Sequence, residues 1–159
     1  YGERGWYRRA LPIFLKRVID GLPPVVFGAG GQMRDFIHVD DVVALHTRCL
    51  ESDAADGQAL NVGTGVGVSI AELARLASSL FLDGEVIFED LPQGATSHLV
   101  AGKRRNTDEL KSMIIEPARA TQLLGWRPQV ALDEGLRREC EWARANLHRW
   151  GGITYTDTK

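Results

Sequence analysis

Four groups of residues in this 159-residue sequence carry side chains or turns suited to chemistry: a glycine-rich loop, a Tyr/Lys pair, the histidines and cysteines, and isolated arginines. The loop "GTGVG", 63–67, begins like a G-x-G-x-x-G dinucleotide fingerprint. Its third glycine is displaced, however, and Ser69 already caps the helix start that a pyrophosphate would occupy. The C-terminal "YTDTK", 155–159, matches Y-x-x-x-K, in which a tyrosine serves as acid/base and a lysine lowers its pKa. It follows Gly151 and Gly152 at the chain end, where fraying is expected, so chance is the better reading. His38, His46, His98 and His148 share no metal-ligand spacing with each other or with Cys49 and Cys140. His46, on an apolar helix pattern, reads as a core histidine. No catalytic, cofactor-binding or metal-binding residue is therefore assigned. What remains is Arg34, a lone cation opening the β-branched run "MRDFIHVDDVV", 33–43.

Helices alternating with short strands must position that arginine. Leu11, Phe14, Leu15, Val18 and Ile19 recur at helical spacing, with Pro12 tolerated in the first turn. "VVF", 25–27, reads as a strand and "GAGGQ", 28–32, as a mobile turn. "RDFIHV" favours a strand, with Asp40 as N-cap of a following helix. "ALNVG", 59–63, reads as an apolar strand, "GTGVGV" as a turn, and Ser69 with Glu72 as a capping box. Strands follow at 86–89 and in "SMIIE", 112–116. A helix then opens at Pro117 and closes at Gly125, before a last helix carrying Leu132, Leu136, Cys140, Ala143 and Leu147.

Composition is that of a globular domain: 44% hydrophobic and 25% charged residues, with a net charge of −2. That balance gives no reason to expect nucleic acid as partner, and no run approaches the roughly 20 apolar residues of a membrane helix. Arg8/Arg9, Arg104/Arg105 and Arg137/Arg138 read as solvated charges. Two distant cysteines in helical patterns point to buried free thiols and a cytoplasmic setting. The sequence opens at Tyr1 instead of methionine, which points to a partial gene, a trimmed product or processing.

Four segments in order carry a resemblance: "YGERG" at the start, "PPVVFGAGGQMRDFIHVDDVV" at 23–43, "ALNVGTGVGVSIAELA" at 59–74 and "PARATQLLGWRPQVALDEGLRRECEW" at 117–142. Together they resemble the C-terminal, substrate-binding half of an NAD-dependent nucleotide-sugar epimerase/dehydratase, in the extended short-chain dehydrogenase/reductase family. The resemblance implies an incomplete α/β fold, the mixed helix and short-strand part that binds substrate and lacks most of the Rossmann sheet. It implies a substrate-binding part over 1–148 and a flexible tail over 149–159. Family members oxidise a sugar hydroxyl with NAD(P), then epimerise or dehydrate. Their glycine-rich loop and catalytic Tyr/Lys lie in the other half, so this chain alone is expected to bind no cofactor and turn over no sugar.

The same resemblance places Arg34 and Arg105 on the diphosphate of a nucleotide-sugar, Asp108 at the ribose, and Val26 and Phe27 beside the base. The segment around Arg105 is similar to the GDP-mannose dehydratase and GDP-sugar reductase branch, although Asn106, Glu116 and Arg119 replace the usual proline, aspartate and lysine. Two guanidiniums suit a diphosphate because each can bond it bidentately. The competing reading pairs Arg34 with Asp35, Asp40 or Asp41 and Arg105 with Asp108, as surface ion pairs of at most about 1 kcal/mol. For the whole chain the alternatives are the binding part of such an enzyme, served by a Rossmann half in cis or in trans, and a free-standing, self-associating module without catalysis. Either way an apolar face should be left without its usual cover, so association to a dimer or higher is expected. Light scattering on a size-exclusion column checks this, and a well-behaved monomer counts against it.

Overall fold

A computed structural model describes residues 9–100, 102–146 and 148. The segment "YGERG", the C-terminal "YTDTK" and the expected tail lie outside the described residues. Helix α1 (Ala10–Ile19) turns Leu11, Phe14, Leu15 and Val18 inward, with Pro12 in its first turn. These side chains meet Val26 and the Leu73, Ala74 and Ala77 face of helix α3 (Ile70–Ser79), and helix α5 (Leu132–Ala145) adds Leu136 and Cys140. This is the main core. A second cluster joins Leu45 of helix α2 (Val39–Leu50) to Ala120 and Leu124 of helix α4 (Ala118–Leu124) and to Trp126.

The strands are short and fall into two sheets. Strand β1 (Val25–Phe27) pairs in parallel with β4 (Ile87–Glu89), Val26 opposite Phe88. Strand β2 (Met33–Asp35) runs between β3 (Gly67–Ser69), antiparallel to it, and β5 (Ser112–Met113), parallel to it, so that Arg34 faces Val68 and Met113 in register. The loop joining β1 to β2 is fastened onto α3: the Ala71 N–H donates to the Gly30 carbonyl and the Ile70 N–H to the Gln32 carbonyl, each at 3.0 Å. Gly30 is required there, because at φ +67° a Cβ would lie 2.5 Å from Val26 Cγ1. The α3 capping box forms as the sequence indicates: Ser69 Oγ accepts from the Glu72 amide while Glu72 Oε2 accepts from the Ser69 amide. Gly125, at φ +59°, closes α4.

Several elements differ from the sequence reading. The "RDFIHV" strand ends at Asp35, and α2 starts early, at Val39, so that His38 is the N-cap, its ring accepting from the Asp40 amide at 3.2 Å. Asp40 is exposed, and the acid with a structural role is its neighbour Asp41. Buried, Asp41 accepts from the Gln129 amide (2.8 Å) and the Val130 amide (3.0 Å), while its carbonyl accepts from Trp126 Nε1 (3.1 Å). "ALNVG" is no strand, because no described strand lies alongside it, and β3 forms inside the expected turn. "SMIIE" contributes only Ser112 and Met113. His46 is exposed, its Nδ1 2.7 Å from the Val42 carbonyl. Cys49 and Cys140 are free, and burial, followed by the charges of Glu139 and Glu141, pushes the Cys140 thiol up to about 12, which leaves it inert near neutrality. Removing the Asp41 acceptor strands two backbone donors, so Asp41→Ala should cost roughly 1–3 kcal/mol of stability in urea denaturation. An unchanged midpoint would show that this bridge between α2 and the 126–130 segment contributes nothing.

Candidate functional site

Between α1, β1, β2 and the segment 103–110 lies a cleft of about 630 Å³. Its floor is apolar, from α1 and from β1, and its rim carries charge. All five residues singled out from the sequence line it: Val26, Phe27, Arg34, Arg105 and Asp108. They come from three separate segments, brought together by the β1–β2 connection and by the return of the chain through β5.

The two arginines are held differently. Arg34 Nη1 donates to the carbonyls of Met33 (2.7 Å) and Leu110 (2.9 Å), so the guanidinium is fixed by backbone. No carboxylate among the described residues forms an ion pair with it, and its Nε and Nη2 have no hydrogen-bond partner there. The side chain is therefore oriented while keeping a charge and donors available. Asp35, next in sequence, is committed elsewhere: it accepts from Thr64 N and Oγ1, Gly65 N and Ile115 N. The surface pairing of Arg34 with Asp35, Asp40 or Asp41 is not formed.

Arg105 lies in a pinned stretch, its amide donating to the Ala95 carbonyl and its carbonyl accepting from the Gly94 amide, both at 2.9 Å. Its Nη1 donates to the Leu91 carbonyl at 2.6 Å. Its Nε (3.1 Å) and Nη2 (2.9 Å) both donate to Glu109 Oε2. The ion-pair partner is thus Glu109, and Asp108, exposed, accepts instead from Thr107 Oγ1. Gly28 leaves room for this guanidinium, since a Cβ there would stand 2.7 Å from Nη1. Gln32 Nε2 donates to the same Glu109 oxygen at 2.8 Å, and Gln32 Oε1 is the one buried side-chain polar atom among the described residues left without a partner.

Burial opposes the charge on Glu109, but the hydrogen bonds of Arg105 and Gln32 and the nearby charges of Arg105 and Arg34 outweigh it and hold the carboxyl below its usual range. Gln32 and Glu109 are the residues that sequence reasoning missed. Gln32 lies two residues before Arg34, but the sequence reading places it in the turn 28–32, ahead of the strand. Glu109 was not detectable, since the irregular stretch around it has no period. No histidine, cysteine or tyrosine is among the described residues lining the cleft, and no group of metal-ligating side chains is found among the described residues. The arrangement suits binding of an anion attached to an apolar or aromatic group.

Known proteins share this chain's sequence and shape. A family model described as GDP-mannose 4,6 dehydratase matches residues 2–139. The chain is 34% identical over 144 residues to a UDP-glucose 4-epimerase of Mycolicibacterium smegmatis, covering 91% of this chain and 40% of that protein. It is 26% identical over 155 residues to the human dTDP-D-glucose 4,6-dehydratase, covering 96% and 41%. Among solved structures, the Thermotoga maritima UDP-glucose 4-epimerase with UDP-glucose is similar at 30% identity and a TM-score of 0.71, over 92% of this chain and 41% of that one. The chain thus spans about 40% of the length of the curated relatives it matches.

Because the Glu109 carboxyl is lowered in the folded state, its contribution to stability is present above the unfolded carboxylate value of about 4.3 and is lost as pH falls through the lower folded value. Urea denaturation should therefore find Glu109→Gln less stable than the parent at pH 7, by on the order of 1 kcal/mol. The gap should narrow progressively as the pH falls below the unfolded carboxylate value. A gap independent of pH would contradict the ion-pair account.

Proposed function

Since the chain belongs to the GDP-mannose 4,6 dehydratase family, we propose that it is the nucleotide-sugar-binding part of an NAD(P)-dependent sugar-nucleotide epimerase or dehydratase. The observation that carries this reading is the shared cleft, with Arg34 held by two backbone carbonyls and its charge unmatched by any ion pair among the described residues. Phosphate favours such a guanidinium, whose planar fork matches two oxyanions at once. In this reading Arg34 and Arg105 take the diphosphate, Asp108 at the exposed rim accepts from a ribose hydroxyl, and Val26 and Phe27 form the apolar wall beside the base. The relatives named above, with UDP- and dTDP-sugars in their names, are consistent with a nucleoside diphosphate as the common element.

In this reading the loop at 63–67 does not hold NAD(P). The loop at 63–67, the nearest thing to a dinucleotide fingerprint, is taken up by packing. A Cβ at Gly63 would lie 2.4 Å from Ile115 Cβ, Gly67 pairs with Asp35 in the sheet, and Ser69 occupies the amide at the α3 N-terminus. We assign the cofactor, and with it the hydride chemistry, to a Rossmann half supplied in cis or by a second chain. The exposed Val39, Val43 and Leu50, spaced four and seven apart along α2, support an apolar face meant to be covered by that half or by another copy.

Calorimetric titration of the chain with UDP, dTDP, GDP and CDP tests the reading. One of the four should bind, and Arg34→Ala should weaken it at least about tenfold through the loss of charge-assisted bonds. Absence of binding by all four to a cooperatively melting chain would overturn it.

A further inference from the structure

The two arginines of the cleft are not equivalent. A guanidinium can meet an oxyanion bidentately through its Nε–Nη edge or its Nη–Nη edge, and in Arg105 the first is taken by Glu109 Oε2 at 3.1 and 2.9 Å. The other Nη is tied to the Leu91 carbonyl, and the space beside it is bounded by Gly28, whose own Cα side leaves only enough room for the guanidinium. Arg105 therefore cannot swing to present a second free edge without losing Leu91. We propose that Glu109 is a built-in counter-anion that a ligand's diphosphate must displace from Arg105, so that this exchange sets how strongly the cleft distinguishes a diphosphate from a monophosphate. The inference rests on the reading of the cleft given above.

Three observations support the exchange. Arg34, on the same cleft, carries no carboxylate partner, so a single phosphate can engage it at no cost in broken ion pairs. Glu109 is held in its charged form, and a second anion arriving beside it is repelled unless the carboxylate moves. Gln32, which donates to Glu109 through Nε2, keeps a buried Oε1 without a partner, so the Arg105–Glu109–Gln32 group is incompletely satisfied as it stands. A group of this kind loses less on rearrangement than a fully bonded one. Glu109 itself is within reach of solvent at the cleft wall, its side chain 17% exposed, which gives it somewhere to go.

The consequence is a ligand that pays differently at its two phosphates. A nucleoside monophosphate meets Arg34, which has no carboxylate at ion-pair distance among the described residues, and feels Glu109 only through its field. A nucleoside diphosphate gains Arg105 only after the carboxylate has left, and its affinity carries that cost.

The test is calorimetric titration of the full chain, its Glu109→Gln, Glu109→Ala and Arg105→Ala variants, and the Glu109→Gln/Arg105→Ala double variant. UDP and UMP serve as probes, or the corresponding pair for whichever of the four nucleotides binds the parent. Glu109→Gln should tighten diphosphate binding about tenfold, the scale of one charge-assisted hydrogen bond, and change monophosphate binding far less. In the Arg105→Ala background the same substitution should have no effect, which a simple removal of negative charge would not reproduce. Equal tightening of both ligands, or tightening that survives without Arg105, would overturn the exchange and leave only a general field effect. Diphosphate binding by the parent that Glu109→Gln and Glu109→Ala leave unchanged or weaken would also overturn it, making Glu109 a support for Arg105 while the nucleotide-binding reading stands. Failure of every variant, the parent included, to bind any nucleotide would overturn that reading and the exchange with it.

Discussion

The cleft depends on the carboxylate of Asp35. Its two oxygens accept from the amides of Thr64, Gly65 and Ile115 and from the Thr64 hydroxyl at 2.6 Å, which joins the end of β2 to the turn before β3 and to the chain just past β5. Strands of three and two residues cannot hold a sheet through ladder bonds alone. A carboxylate receiving several backbone donors supplies what the ladders lack. Gly63 lets the turn come this close, since any side chain there would strike Ile115 and Asp35 itself. With β2 so fixed, Arg34 is placed one residue away and the Leu110 carbonyl lies within its reach. The order of causes runs from a part-buried acid to a sheet, and from the sheet to a cation at a cleft.

Charge in the cleft is distributed by the same economy. Backbone carbonyls orient Arg34 without neutralising it, whereas Arg105 is both oriented and neutralised. Carbonyl dipoles and a carboxylate are different instruments: the first fixes direction and leaves the charge to act on whatever enters, the second consumes it. That contrast, more than the number of basic residues, gives the cleft its character, because the chain as a whole is slightly acidic at a net charge of −2.

What was legible in the sequence follows from how local each determinant is. The helix α3 start was legible because Ser69 and Glu72 satisfy each other within one turn, and the α4 end because Gly125 alone takes the left-handed conformation. The five cleft residues were named from ordered motifs, and they do share one cleft. Asp35 and Asp41 were read as alternative surface partners of Arg34, yet each bonds backbone amides far along the chain. No local pattern encodes such a bond. "ALNVG" has the composition of a strand and still runs unpaired among the described residues, because a strand exists only where a second strand lies beside it. His46 shows the same limit: the helical period put it among apolar neighbours, but the face it occupies is open to solvent.

The fastenings across the cleft join residues distant in sequence, Arg34 to Leu110 at a separation of 76, Gln32 to Glu109 at 77 and Asp35 to Ile115 at 80. Closing loops of this length has a large fixed entropic cost but a slow dependence on length, so that doubling the loop adds only about 0.6 kcal/mol. The intervening chain is thus free to lengthen or shorten at its surface turns with little penalty, while the few residues at the two fastened ends are confined to side chains that keep the bonds. Variation in such a protein should accumulate as changes of length between the fastenings and be scarce as changes of residue at them.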